Sequence, residues 1–287
     1  ATVRKREGST PSLFLCPWNT WQVIHMKKVR VAIAGASGYA GAELVRLAAL
    51  HPHFDLHAVT SEKSAGAAVG SVFPSLAGLV SLSFQALSPE ALAEQADAVF
   101  LALPHTKSLE PVSACIKTGK LVVDLSADYR LTDPTVYEQW YKTPHTYPGL
   151  LKDAVYGLPE LHRAAIAKAK LVASPGCYPT AAILQLAPLF AQGLVQPHTV
   201  VIDAKSGISG AGRSPALPYH FPEAHESIEP YKLGGHRHIP EIEQELGRLL
   251  QRTSQPSGKA APEPIVTFTP HLVPMNRGIL STAYCKL

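Results

Sequence analysis

The sequence predicts an α/β protein in two parts: a Rossmann-type doubly wound parallel sheet, followed by an α+β domain with a mixed or antiparallel sheet. Three observations carry this. From Met26 onward, short apolar strand-like runs alternate with helix-like runs. A glycine-rich turn joins the first strand to the first helix. After the helix that follows Cys177 the pattern changes, and strands are joined by long loops rich in glycine and serine.

Residues 1–25 have neither a helical nor a strand period and read as an extension. Its basic cluster and the short run Ser12-Leu13-Phe14-Leu15-Cys16 fall short of a secretory signal, because the apolar stretch is too brief and no small-residue cleavage site follows. An organellar leader remnant, residues added by cloning and upstream readthrough all remain open. The first domain is read over 26–173 and the second over 174–287. Strands are expected at Val29–Ala34, Phe54–Val59, 98–103, 121–125 and 170–173, with a helix over 106–118. In the second part the expected strands are 199–204, 265–269 and Ile279–Tyr284, with a loop over 253–264. Ile239, Ile242, Leu246 and Leu249 recur at helical spacing, and Pro240 and Glu241 suit a first helical turn.

Gly35-Ala36-Ser37-Gly38-Tyr39-Ala40-Gly41 lies between a strand and a helix and is followed by a second strand. Missing side chains at Gly35, Gly38 and Gly41 let a backbone approach a pyrophosphate, whose charge the helix N-terminus favours, with Ser37, Tyr39 and Ala40 lining the same turn. The second strand ends in Thr60-Ser61-Glu62-Lys63 rather than in a lone acidic residue. Ser61 and Lys63 suit a ribose 2′-phosphate, which points to NADP rather than NAD, although Glu62 between them complicates the pattern. Leu103 and Pro104 sit at the carboxyl end of another strand, where open α/β sheets bind ligands. Arg130 is a candidate phosphate clamp there; a salt bridge to Asp128 or Asp133 is the competing reading.

Cys177 stands in Ser174-Pro175-Gly176-Cys177-Tyr178-Pro179-Thr180, between a strand and the helix formers of 180–186. A thiol near a helix start meets unpaired N–H groups and the positive end of the dipole, which favour the thiolate. Cys115 and Cys285 read as small core hydrophobes. The four cysteines are far apart and lack metal-ligand spacing, so neither a zinc site nor a disulfide framework is expected, and a reducing, cytoplasmic setting fits. His236 is the expected proton-transfer partner of the thiol, with His238 as the alternative. Ser206 and Arg213, in the loop Lys205 to Arg213, are candidate contacts for an anionic substrate unless that loop merely connects two elements, and Tyr231 joins them. The formal net charge of +4 is modest, and +2 of it comes from residues 4 to 7, so no basic stripe for nucleic acid remains. No apolar run reaches the length of a membrane span.

The glycine turn, Asp124-Leu125-Ser126-Ala127-Asp128-Tyr129-Arg130, the Cys177 segment, Ser209-Gly210-Ala211-Gly212-Arg213 and His236-Arg237-His238, in this order, resemble the N-acetyl-gamma-glutamyl-phosphate reductases of arginine biosynthesis. The resemblance extends from Met26 to Leu287. It implies an NADP-binding domain over 26–173, a catalytic, substrate and dimerisation domain of the glyceraldehyde-3-phosphate and aspartate-semialdehyde dehydrogenase type over 174–287, NADPH as reductant, an acyl phosphate substrate and a homo-oligomer, dimer or tetramer. It also implies Cys177 as nucleophile and His236 as acid/base. Relatives continue past the strand matching Ile279 to Leu287 and return to the cofactor domain, so by this resemblance the chain is expected to lack that segment and to lose activity. Gln185 departs from the small residue that relatives carry in the nucleophile helix. Two other readings stand beside it: a reductase of an aspartyl or aminoadipyl phosphate, and a non-catalytic dinucleotide-binding protein.

Overall fold

The structure, a computed structural model, describes residues 27–253 and 262–287. The extension read over 1–25, with Cys16, and part of the loop read over 253–264 lie outside them. Six strands form the first sheet: β1 (Val29–Ala34), β2 (Phe54–Val59), β3 (Ala98–Leu101), β4 (Leu121–Asp124), β5 (Ala154–Tyr156) and β6 (Leu171–Ala173). Their order is β2-β1-β3-β4-β6-β5, and every pairing is parallel. The order reverses at β1, which has β2 on one side and β3 on the other. That reversal opens a crevice at the carboxyl ends of β1 and β3. Val31 to Ala34, Val99, Leu101 and Val122 are buried, as strands covered on both faces require.

The second sheet is mixed. β7 (Val200–Gly207) pairs in parallel with β9 (Val266–Val273) and antiparallel with β10 (Ile279–Tyr284), while β8 (Glu229–Pro230) closes the other edge. β7 and β9 both run longer than their sequences suggested. Lys205, Ser206 and Gly207, read as the start of a flexible loop, are strand residues because each pairs with a partner on β9. The following turn, Ile208–Ala211, is held by the N–H groups of Ile208 and Ser209 on the carbonyls of Met275 and Asn276. β5 and β8 are short strands with weak apolar patterning, and the sequence did not reveal them.

Two helices place the chemistry. One spans Cys177–Phe190 and the other Ile239–Thr253. Ile242, Leu246 and Leu249 bury against Ile183, Leu186 and Phe190 in one apolar cluster. Each fully buried aliphatic side chain there contributes about 1.5–3 kcal/mol. The same packing fixes the start of one helix, where Cys177 sits, relative to the start of the other, just after His236. Among the described residues no helix is long and apolar enough to cross a membrane.

Candidate active site

The helix begins at Cys177 itself, three residues before the run of helix formers, because Gly176 takes the N-cap conformation (φ −66°, ψ 157°). Pro179 is tolerated at the third helical position, since an N–H there has no intrahelical partner. Thr180 closes the first turn by donating its N–H and its hydroxyl to the Gly176 carbonyl, both at 2.9 Å. The Cys177 side chain is exposed at the wall of a cleft of about 380 Å³, which Ser206, Ser209, Gly210, Gly278 and Ile279 also line. Although solvent reaches it, the thiol is surrounded by protein, which raises its pKa; the N–H groups of Tyr178 and Cys177 and the Arg130 charge pull the other way.

His236 is buried among the rings of Tyr178, Tyr231 and Phe268, with centroids 5.8, 5.6 and 5.2 Å away. Its Nδ1 accepts the His238 N–H at 3.2 Å, which puts the proton of the neutral ring on Nε2. Burial, with help from the Lys232 and Arg237 charges, lowers its pKa to about 4. His238 packs against the turn before Cys177: a Cβ on Gly176 would stand 2.6 Å from its Nε2 and 3.0 Å from Arg130 Nη1. Its pKa is driven well below the ordinary histidine value, first by burial and then by His236 and Arg130. His105 belongs to the same neighbourhood: its Nδ1 accepts the Ala127 N–H at 3.1 Å, and its ring meets Tyr141 edge-on at 5.8 Å.

Arg130 is not free to clamp a phosphate. It is 5% exposed, and its donors go to Ser174 O at 2.7 Å, Leu125 O at 2.8 Å and Glu241 Oε2 at 3.2 Å. Its acidic partner is therefore Glu241, neither Asp128 nor Asp133. Asp128 instead accepts the N–H groups of Thr106 and Ser108 at 2.7 and 2.9 Å, before the Leu109–Lys117 helix, while Asp133 caps the Pro134–Tyr141 helix.

The glycine turn fits a dinucleotide. Gly35 has φ +73°, and a Cβ there would meet Ala102 O at 2.4 Å, so the bare backbone lies against the end of β3. Gly38 is the N-cap of the Tyr39–Leu50 helix, with Tyr39 and Ala40 exposed in its first turn and Gly41 buried. Ser61, also buried, donates its hydroxyl to Ser37 Oγ at 2.7 Å, joining the end of β2 to the turn. Lys63 is exposed beyond it, and Leu103 is half-buried beside exposed Pro104 at the end of β3.

Comparison with known proteins gives the same division. Residues 30–169 match the family model described as semialdehyde dehydrogenase, NAD binding domain, and residues 177–287 match semialdehyde dehydrogenase, dimerisation domain. The chain is 54% identical over 259 residues to the N-acetyl-gamma-glutamyl-phosphate reductase of Syntrophobacter fumaroxidans, which covers 90% of this chain and 72% of the relative. It belongs to the N-acetyl-gamma-glutamyl-phosphate reductase family. The protein of that name from Geotalea daltonii is 53% identical with the same coverage. Among solved structures, aspartate semialdehyde dehydrogenase with NADP from Candida albicans has a similar fold, at TM-score 0.62 and 18% identity over 90% of this chain and 71% of that one. Aspartate semialdehyde dehydrogenase II from Vibrio cholerae gives TM-score 0.63 at 16% identity, over 91% of this chain and 74% of its own.

On this family scaffold the remaining residues singled out from sequence separate into two groups. Ser206 and Tyr231 stand with Cys177: Ser206 lines its cleft, and the Tyr231 hydroxyl donates to Tyr178 Oη at 3.3 Å. Arg213 does not line that cleft. Its guanidinium donates to Ser37 O at 3.0 Å and lies 4.6 Å over the Phe73 ring, on the cofactor turn. Gln185 is exposed on the Cys177–Phe190 helix and accepts the Ser281 hydroxyl at 2.9 Å. Sequence reasoning noted Glu241 only as a first-turn acidic residue. No local signal connects it with a partner 65 positions earlier in the chain.

Proposed function

We propose that this chain reduces N-acetyl-gamma-glutamyl phosphate to the corresponding semialdehyde and phosphate, with NADPH as reductant and Cys177 as nucleophile. The observation that carries the reading is the exposed Cys177 thiol at a helix start, next in sequence to Tyr178, whose ring meets the buried His236 edge-on at 5.8 Å, in a chain that also holds a dinucleotide-type glycine turn. Cys177 passes its proton to His236 Nδ1, the basic nitrogen of the neutral ring, which gives up the His238 N–H in the step, and the sulfur attacks the acyl carbon. The tetrahedral oxyanion meets the N–H groups of Cys177 and Tyr178, the C–O bond to phosphate breaks, and a thioester remains. When bound, NADPH supplies the hydride that reduces the thioester carbonyl. His236 returns the proton as the C–S bond breaks and the aldehyde leaves.

The turn from Gly35 to Gly41 would hold the pyrophosphate, and the Ser37–Ser61 hydroxyl pair with Arg213 and Lys63 would meet the 2′-phosphate. With Arg130 and Arg213 engaged elsewhere, the substrate's anionic groups fall to Arg237, 5.2 Å over the Tyr141 ring, and to exposed Lys232, with Ser206 lining the cleft and Tyr231 hydrogen-bonded to Tyr178. Both sheets support a division at about residue 173 into a cofactor half and a catalytic half that also mediates self-association as a dimer or tetramer. The free thiols of Cys115, Cys177 and Cys285 support a reducing, cytoplasmic setting. The test is phosphate-dependent oxidation of N-acetylglutamate semialdehyde with NADP, compared with aspartate semialdehyde. Faster turnover of the aspartyl compound, or none of either, would overturn the substrate assignment.

A further inference from the structure

We infer that Glu241 is a positioning residue for Cys177 and that, together with Pro179, it reduces the amides facing the thiol to two. The inference rests on the reading of Cys177 as the nucleophile. An α-helix leaves the N–H groups of its N-cap and first three residues without intrahelical partners. In this helix those residues are Gly176, Cys177, Tyr178 and Pro179. Pro179 has no N–H. The Gly176 N–H is taken by Glu241 Oε1 at 2.8 Å. Only the N–H groups of Cys177 and Tyr178 remain, and both act on the thiol.

Glu241 is 1% exposed, and its carboxylate has no solvent to relax into. Its Oε1 also accepts the Tyr156 hydroxyl at 2.7 Å, and its Oε2 accepts Arg130 Nη1 at 3.2 Å. Arg130 then holds Ser174 O at 2.7 Å from the other side of the turn. The segment Ser174-Pro175-Gly176 is thus gripped at a carbonyl and at an amide by the two members of one buried ion pair. Glu241 sits in the first turn of the helix that follows His236 and His238, so the same side chain ties the histidine loop to the nucleophile turn. A buried pair of this kind adds little net stability, but moving either member away leaves the other charge uncompensated, which is strongly unfavourable.

The experiment compares Glu241→Gln, Glu241→Asp and Glu241→Ala in the full chain, measuring kcat on the acyl phosphate, the NADPH Kd and the fraction of chains that bind NADPH. Gln keeps an acceptor at the Gly176 distance and loses the charge; Asp keeps the charge and withdraws it by one methylene. Positioning predicts that kcat falls in the order parent, Gln, Asp, with the Asp variant down by about a hundredfold and NADPH affinity unchanged. An Asp variant faster than the Gln variant, or losses of kcat that merely track the fraction of chains binding NADPH, would overturn the inference. Because Gln and Asp are close in size to Glu, the comparison stands even if the Ala variant fails to fold. Turnover surviving in Cys177→Ser would instead overturn the nucleophile reading beneath it.

Discussion

The Cys177 thiol is pulled in two directions: the surrounding protein raises its pKa, while two amides and the Arg130 charge lower it, and burial prevails. At neutral pH the resting side chain is a thiol, and its proton needs an acceptor. In the proposed reaction His236 supplies one, because burial holds its pKa at about 4 and keeps the ring neutral through the working range. The sign follows directly: base function is lost only as pH falls through about 4, not through the usual histidine value of about 6.5. In the parent protein kcat/KM measured from pH 5 to 9 should therefore rise toward alkaline pH without an acid inflection near 6.5. An inflection at that point which disappears in His236→Asn would show that the ring titrates as if exposed. Cys177→Ser should lose turnover by orders of magnitude and keep NADPH binding, because an alcohol cannot form the acyl intermediate at this pH. Fluorescence titration with NADPH separates that outcome from misfolding.

At the scale of elements, what could be read from sequence depended on how local the cause was. The strand, turn and helix around Gly35 were legible because periodicity and glycine spacing act within a few residues. The helix Ile239–Thr253 was legible because its apolar stripe is written in its own sequence. The partner of Arg130 was not: proximity suggested Asp128 or Asp133, whereas Glu241 lies 111 positions away and reaches it only through tertiary packing. The extent of β7 was missed for the same reason, since Lys205 to Gly207 look like a loop until β9 supplies their partners. Packing of the two helices carries a prediction of its own. Leu246 is fully buried, and Leu246→Ala should lower stability by about 2–5 kcal/mol through lost burial and the cavity left behind. Because this contact also sets Cys177 relative to His236, kcat at a temperature where the variant is folded should fall as well. Denaturant unfolding and kinetics on the same sample test both effects, and full kcat at reduced stability would detach the helix contact from catalysis.

At the scale of the whole molecule, the cofactor turn hangs from the parallel sheet, while the cleft beside Cys177 is lined from the mixed sheet, so hydride transfer depends on how the two are held in register. Two arginines from loops of the mixed sheet make contacts across that gap. Arg277 meets Glu43 at 2.6 Å on the helix that follows the glycine turn. Arg213 meets Ser37 O at 3.0 Å within the turn itself. The second contact moves Arg213 away from the substrate role its glycine-rich loop suggested and brings a guanidinium beside the Ser37–Ser61 hydroxyl pair. A charge-assisted contact to a phosphate is worth about 1.5–3 kcal/mol, less where solvent screens it, as at this exposed side chain. Arg213→Ala should therefore raise the KM for NADPH by about tenfold and leave the KM for the acyl phosphate within about twofold. It should also narrow the preference for NADPH over NADH, because only the former carries the 2′-phosphate. Steady-state kinetics with both cofactors at saturating acyl phosphate, and then with the acyl phosphate varied, measure all three. A raised KM for the acyl phosphate with NADPH unaffected would return Arg213 to the substrate, and equal losses with NADPH and NADH would move its partner to the pyrophosphate that both cofactors share.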